Sequence, residues 1–298
     1  MFSTPIYETY KPFLLSLAYR LLGSFSDAED IVQDVFADYF QLEDGSVAHE
    51  KAYLARMVTN RSLNTLGSAR KRRETYVGNW LPEPTVAYGA AISGDPAAHL
   101  ERNESVTYAM LVMLEQLSAI ERAVFILRET FHFDYSDIAS IVDKSEANCR
   151  KLASRAKEKL GTAPDTPPFR HAKADALAEA FIQAANTGDT ESLIGMLKED
   201  AVMVSDGGGK VRAAIFPIWG RDRITAFFQG LFRKGTLGSH YVPAIVSGQS
   251  GLLLMNEGLP IKVMTFEWDA KGEQIEKIYF VVNPEKLNHV TNDNPILS

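Results

Sequence analysis

Between residues 161 and 168 the chain reads Gly161-Thr162-Ala163-Pro164-Asp165-Thr166-Pro167-Pro168, and three prolines this close cannot continue a helix. Residues before this break are helical in pattern, and most of those beyond it are not. Upstream, Phe13-Leu14-Leu17-Leu21, Ile31-Val32-Val35-Phe36-Tyr39 and Met110-Leu111-Met113-Leu114-Leu117 recur at helical spacing. After one amphipathic helix expected at 176–186, the downstream pattern turns to alternating or β-branched runs: 201–204, 241–246, 252–255, 261–266 and 276–281. Trp268-Asp269-Ala270-Lys271-Gly272 is a hairpin signal between the last two. A second break, 75–100, gathers Gly78, Pro82, Pro84, Gly89, Gly94 and Pro96 and reads as a linker. The organisation expected is therefore 1–74 helical, 75–100 linker, 101–160 helical, 161–169 Pro-rich linker, and 170–298 α+β with a curved antiparallel sheet around helices.

Charge is segregated along the chain. The net charge of −7 would argue against a nucleic-acid binder if it were evenly spread. Yet Asp27, Glu29, Asp30, Asp34, Asp38, Glu43, Asp44 and Glu50 fill the stretch between Arg20 and Lys51, which has no Lys or Arg. Lys51, Arg56, Arg61, Arg70, Lys71, Arg72 and Arg73 come next, with no acid among them. A second basic block runs from Lys144 to Lys159. Opposite charges on different segments imply different partners for different faces. The single cysteine, Cys149, excludes an internal disulfide and a thiolate-cluster metal site, and suits a small core residue. The histidines show no metal-ligand spacing, so neither metal nor cofactor is expected. With no membrane-length apolar run and no secretory leader pattern, the expected compartment is the cytoplasm and no membrane partner is expected.

Residues 133–160 read as a helix-turn-helix. Tyr135–Val142 forms the first helix, Asp143-Lys144 turns the chain, and Ser145 offers an N-cap hydroxyl to the second. On that second helix Cys149, Leu152, Ala153, Ala156 and Leu160 share one face. Asn148, Lys151, Ser154 and Arg155 share the other, with Glu146 and Arg150 at its edges. Arg, Lys and Asn so placed can reach base edges and phosphates in a major groove; a solvated charged hairpin has the same pattern. Asp27, Asp30, Asp34 and Asp38 make an acidic ridge suited to a basic protein surface. Asn60, Arg61 and Asn64 put amides and a base on one side of a helix whose basic tail neutralises phosphates. Gly67-Ser68 is expected to interrupt that helix.

Taken together, Tyr19-Arg20-Leu21-Leu22-Gly23, the run from Asp27 to Phe36, the Asn60 helix with its Arg tail, and the helix-turn-helix resemble bacterial extracytoplasmic-function sigma factors. The resemblance covers residues 1–160 and implies two all-α domains, a region 2 bundle and a region 4 helix-turn-helix. It implies that Asp27, Asp30, Gln33, Asp34 and Phe36 dock on core RNA polymerase at the β′ clamp helices, with the β flap a further polymerase contact. Asn60, Arg61, Asn64 and Arg70–Arg73 (Arg70, Lys71, Arg72, Arg73) would face the −10 promoter element. Ser145, Asn148, Arg150, Lys151, Ser154 and Arg155 would read the −35 element. Tyr53 stands where the family usually has Trp, and Asn64 where an acid is frequent.

The C-terminal half resembles the SnoaL-like fold, a cone-shaped curved sheet, carried by a subgroup of these sigma factors. Three motifs support this: Trp80-Leu81-Pro82-Glu83-Pro84, Asp206-Gly207-Gly208-Gly209-Lys210, and Asn283-Pro284-Glu285-Lys286-Leu287. The subgroup implies regulation in cis without a separate anti-sigma protein. Asp206–Lys210 is expected to contact the sigma half near Trp80–Pro84, and Asn283–Leu287 to clip back onto that half. Two alternatives stay open. A pocket in this half binds a small molecule and shifts the sigma half, or Asp206, Asp222 and His240 serve as acid–base groups of a cyclase-type enzyme. Trp219, Phe266, Trp268 and Tyr279 are expected in the core.

Overall fold

In a computed structural model of the chain, residues 5–42, 47–88, 107–161, 183, 187–188 and 190–290 are described, with the backbone alone for 69–74, 190, 192 and 193. The chain divides into a helical unit within 1–75 and 111–162 and a sheet unit within 76–110 and 163–298. The helix expected at 176–186 and the 161–169 linker lie almost wholly outside the described residues.

The helical unit begins with α1 (Pro5–Leu22), α2 (Phe25–Tyr39) and α3 (Glu50–Glu74). α1 buries Leu14, Leu17, Ala18 and Leu21, four positions on one helical stripe. Ser24 caps α2 by accepting from the Asp27 backbone N–H at 3.2 Å, and Ile31, Val32, Val35 and Phe36 face inward. α3 buries Leu54, Ala55, Val58 and Leu66 and runs through Gly67-Ser68 without the expected break. Gly67 is exposed, with open space where a β-carbon would stand, and Ser68 Oγ donates to Thr65 O at 2.8 Å, so the helix tolerates both.

After β1 (Val86–Tyr88) come α4 (Tyr108–Leu114), α5 (Ala119–Phe125), a π-helical turn (Ile126–Thr130), α6 (Tyr135–Val142) and α7 (Glu146–Leu160). A capping box starts α5: the Glu121 backbone donates to Ser118 Oγ, and Ser118 N donates to Glu121 Oε2 at 3.0 Å. Lys159 Nζ also donates to both Glu121 oxygens, at 2.7 and 2.8 Å, joining α7 to α5. These hydrogen bonds, Lys159's first, hold the Glu121 carboxyl at about 2 against the opposing effect of burial. The two helical regions pack on each other. Buried Arg122 donates to Leu21 O at 2.8 Å and pairs with Glu115 at 2.7 Å. Phe13 meets Phe131 edge-on at 5.0 Å and Phe133 at 6.2 Å. Lys51 lies over both Phe13 and Phe133, and Arg20 over Phe131.

In the sheet unit, α8 (Thr190–Met196) leads into β2 (Leu197–Asp206), followed by β3 (Ile218–Trp219), α9 (Arg221–Arg233), β4 (His240–Val246), β5 (Gln249–Asn256), β6 (Leu259–Trp268) and β7 (Ile275–Val281). A 3₁₀ turn, Pro284–Lys286, comes last. The strand order is β1-β4-β5-β6-β7-β2-β3. β4 to β7 form an antiparallel meander, but β2 pairs with β7 in parallel, so the sheet is mixed and not wholly antiparallel. The chain reaches β2 before it builds the meander, and β2 then adds beside the last strand. Alternate residues Met203, Leu252, Leu254, Met264, Phe266, Ile278 and Phe280 line one face, against Ile224 and Phe228 of α9. The 268–272 hairpin closes as expected, with Asp269 N donating to Gln274 O at 2.9 Å.

The segment read from sequence as a linker is different in kind where it is described. Residues 76–88 are a fixed part of the sheet unit, ending in β1 paired with β4 in the register Val86↔Val246 to Tyr88↔Ala244. Prolines prevent a helix here but permit an extended edge segment.

Candidate functional site

The three motifs of the C-terminal half and its preceding segment meet at one buried carboxylate. Asp206 ends β2 at 0% exposure and accepts four hydrogen bonds. Tyr76 Oη and Gly208 N donate to Oδ1 at 2.6 and 3.0 Å; Leu81 N and Lys286 Nζ donate to Oδ2 at 2.8 and 2.7 Å. Lys286 also donates to Leu81 O, and its ammonium sits 4.1 Å from the centre of the Trp80 ring. A charge buried this way needs all of these partners, because an unpaired one costs several kcal/mol. Burial and then the neighbouring carboxylate hold the Tyr76 phenol well above the usual tyrosine range, so it stays a donor.

Local sequence dictates the geometry on each side. Gly208 has φ +59°, and a Cβ there would stand 2.3 Å from Asn283 Nδ2, so the loop can pass only without a side chain. Asn283 uses that amide to donate to Tyr76 Oη at 2.9 Å, while its Oδ1 accepts from Glu285 N and starts the 3₁₀ turn that aims Lys286 inward. Lys210 and Glu285 pair at 3.0 Å on the exposed rim. Leu81, Pro82, Glu83, Pro84 and Leu287 are buried. The remainder of the segment is held by partners that carry no motif. Tyr108 Oη donates to Pro82 O at 2.7 Å. Gln249 Oε1 accepts from Ala109 N at 2.7 Å, and Ser247 Oγ accepts from Thr85 N at 3.1 Å. His289 Nε2 lies 2.9 Å from Pro84 O. Single hydroxyls, an amide and an imidazole give no sequence pattern, so these residues have no signature in the sequence alone. Both the Asp206–Lys210 loop and Asn283–Leu287 thus engage residues 76–84, the contact with Trp80–Pro84 expected from the sequence, and that segment lies in the same compact unit as the sheet.

The alternative acid–base groups stand in unlike surroundings. Asp206 is committed to its four donors, whereas Asp222 and His240 are exposed, and His240 Nδ1 lies 3.0 Å from Ser239 Oγ. Phe266 and Tyr279 are buried and Trp268 packs against the core, but Trp219 is 62% exposed, correcting its expected place in the core.

In the helical unit, Asp30, Gln33 and Asp34 are exposed on α2 and Asp27 is half-buried at its start. Phe36 is not on that surface. It is 3% exposed, packed on Tyr7 at 4.7 Å and Phe40 at 5.9 Å, because it continues the inward stripe of Val32 and Val35. Its expected role in docking is therefore corrected to a core role beneath the ridge. Asn60 and Asn64 are exposed one turn apart on α3, in line with exposed Arg56. Arg61 is half-buried and joins α3 to α2 by pairing with Asp38 and, at 3.6 Å, with Asp34. The side chains of Arg70, Lys71, Arg72 and Arg73 lie outside the described residues.

The helix-turn-helix forms as its sequence requires. Asp143 takes φ 52° at the turn, and Ser145 Oγ accepts from Asn148 N at 3.3 Å. Cys149, Ala153, Ala156 and Leu160 are buried, and burial raises the Cys149 thiol. Asn148, Lys151, Ser154 and Arg155 are exposed. Arg150 is held at the edge by Glu146 at 2.7 Å and by the Tyr135 ring.

Comparison with known proteins agrees with this division. The family models Sigma-70 region 2 and Sigma-70, region 4 match residues 6–73 and 108–160. The ECF RNA polymerase sigma factor SigJ of Mycobacterium tuberculosis is 33% identical over 262 residues, 85% of this chain and 81% of that protein. SigG of the same species is 27% identical over 86% of this chain and 71% of its own length. The crystal structure of M. tuberculosis SigJ superposes with a TM-score of 0.74 and 27% identity, covering 95% of this chain and 97% of that one. Among the described residues, no helix is long and apolar enough to cross a membrane.

Proposed function

Because the chain belongs to the extracytoplasmic-function sigma factors, we propose that it binds core RNA polymerase, directs promoter-specific initiation of transcription, and is regulated in cis by its own sheet unit. Regions 2 and 4 bind polymerase and promoter DNA. On α2, Asp30, Gln33 and Asp34, with Asp27 behind them, dock on a basic polymerase surface, the β′ clamp helices. Asn60, Arg61 and Asn64 face the −10 element with Arg70–Arg73 neutralising phosphates. Ser145, Asn148, Lys151, Ser154 and Arg155 read the −35 element from α7, and Arg150 flanks them. The protein works in the cytoplasm and needs no cofactor and no separate anti-sigma protein.

The convergence of three distant motifs on Asp206 carries the regulatory part of this reading. Residues 76–88 belong to the stretch of chain connecting region 2 to region 4, and the sheet unit holds them by a buried ion pair and by strand pairing. A connection held this firmly limits where the two regions can go. Truncation after residue 168 would strip this segment of its partners, so the cleaner test keeps the full chain. In-vitro transcription with core polymerase, comparing wild type with Lys286→Met, should change transcript yield at least severalfold. Equal yields at equal polymerase occupancy would remove the node from regulation, and no transcript from either protein would break the sigma reading itself.

A further inference from the structure

Seven large apolar side chains are substantially exposed among the described residues, and five of them, Val77, Val211, Ile215, Phe216 and Trp219, lie on the sheet unit in residue 77 and the 211–219 stretch that runs beside it. Val77 packs on the α-carbon of Gly209, Gly78 packs on Ile215, and the loop from Val211 to Trp219 continues the patch. Phe216 is 79% exposed and Trp219 62%. Cations interleave with these rings: Lys210, Arg212, Arg221 and Arg223 stand in the same stretch with a single acid, Asp222, in a chain of net charge −7. Arg212 and Arg223 are exposed, while Lys210 and Arg221 already have carboxylate neighbours.

We propose that this loop is a binding platform for single-stranded DNA, with Phe216 and Trp219 stacking on unpaired bases and Arg212 and Arg223 neutralising phosphates. Every base has a π-face, so exposed rings flanked by cations bind unpaired strands with little sequence preference. In a duplex those faces are occupied by neighbouring bases, which leaves only the cations useful. An apolar protein partner would use Val77 and Ile215 but gain little from two free guanidinium groups, and charge complementarity decides for the polyanion. The inference rests on the reading that the chain acts where promoter strands are separated. Val77 comes only four residues after Arg73, the last of the basic run.

The test uses the full chain without polymerase, so that its failure is distinct from failure of the sigma assignment. Fluorescence anisotropy with a labelled twelve-nucleotide oligothymidylate should show binding. Phe216→Ala with Trp219→Ala should weaken it at least tenfold, and Trp219→Phe alone should retain most of it. Arg212→Ala with Arg223→Ala should flatten the plot of log affinity against log salt by about 1.4, two phosphate contacts at about 0.7 each for a single strand. Both rings are exposed, so thermal melting should not move. Oligothymidylate affinity unchanged in the ring variant would overturn the proposal. So would duplex binding as tight as single-strand binding and equally lost. A concentration-dependent dimer that disappears in the ring variant would reassign the patch to a contact between copies.

Discussion

Replacing Asp206 by Ala removes the one acceptor on which four donors converge, two of them, Leu81 N and Lys286 Nζ, buried. Lys286 would lose the carboxylate partner of an ammonium that stays buried beside Trp80 and bonded to the Leu81 carbonyl. The Leu81 N–H and the Tyr76 hydroxyl lose the acceptors they meet at 2.8 and 2.6 Å. Breaking a buried pair on one side costs about 3–5 kcal/mol, and an orphaned backbone donor alone is worth about 1–3 of that. For a unit of this size about 1 kcal/mol moves Tm by roughly 2–4 °C, so the sheet unit should melt on the order of 10 °C lower. Differential scanning calorimetry reads that shift directly. Limited proteolysis should show faster cleavage within 76–88. The double variant Asp206→Leu with Lys286→Met should recover much of the loss, since it removes both charges together. If Asp206→Ala cost less than about 1 kcal/mol, the carboxylate would not be holding the segment. A double variant as unstable as the sum of the singles would likewise show that the two charges are not coupled.

Phe36→Ala should destabilise the helical unit by about 3–5 kcal/mol as a core truncation, whereas Asp30→Ala with Asp34→Ala should leave melting nearly unchanged and weaken polymerase binding in a pull-down. Tyr108→Phe leaves the Pro82 carbonyl without its donor and should lower sheet-unit stability by about 1–2 kcal/mol in a urea titration. Glu121 has a depressed folded-state pKa of about 2 against an ordinary value of 4.5, so its contribution is complete above pH 4.5 and is lost as pH falls toward 2. That contribution is on the order of 2 kcal/mol once the half-exposed Lys159 end is discounted for screening; Lys159→Met should shrink it, as measured by acid unfolding against a Glu121→Gln control.

The five strand runs and the helix-turn-helix are readable in the sequence because each carries its own signal: period-2 burial, a hairpin turn, an N-cap serine. β1 is not, since Val86-Ala87-Tyr88 is a strand only because β4 offers an edge to pair with. The parallel pairing of β2 with β7 depends likewise on a neighbour sixty residues or more away in the chain. Phe36 shows the opposite failure. Its own spacing with Val32 and Val35 places it inside, and the family motif draws it outward. The Asp206 site is half legible. Its three motifs stand out as strings, and their joint presence points to a contact of Asp206–Lys210 with Trp80–Pro84, but the single carboxylate at which all three meet, and the supporting Tyr76, Tyr108 and Gln249, need the fold.

The aromatic seam between the two helical regions has a consequence for reach. A compact unit of about 130 residues has a radius of gyration near 14 Å. The −10 and −35 elements lie about 25 base pairs apart, roughly 85 Å along a duplex at 3.4 Å per pair. No unit that small touches both at once, so on the function proposed above, with α3 at one element and α7 at the other, Phe131 and Phe133 leave Phe13 and Lys51 before one promoter is read. With four ring and cation contacts and one buried arginine bond to give up, parting them costs on the order of 4 kcal/mol. About one free molecule in a thousand is then extended, and its grip on naked promoter DNA is diluted by the same factor until polymerase holds the two regions apart.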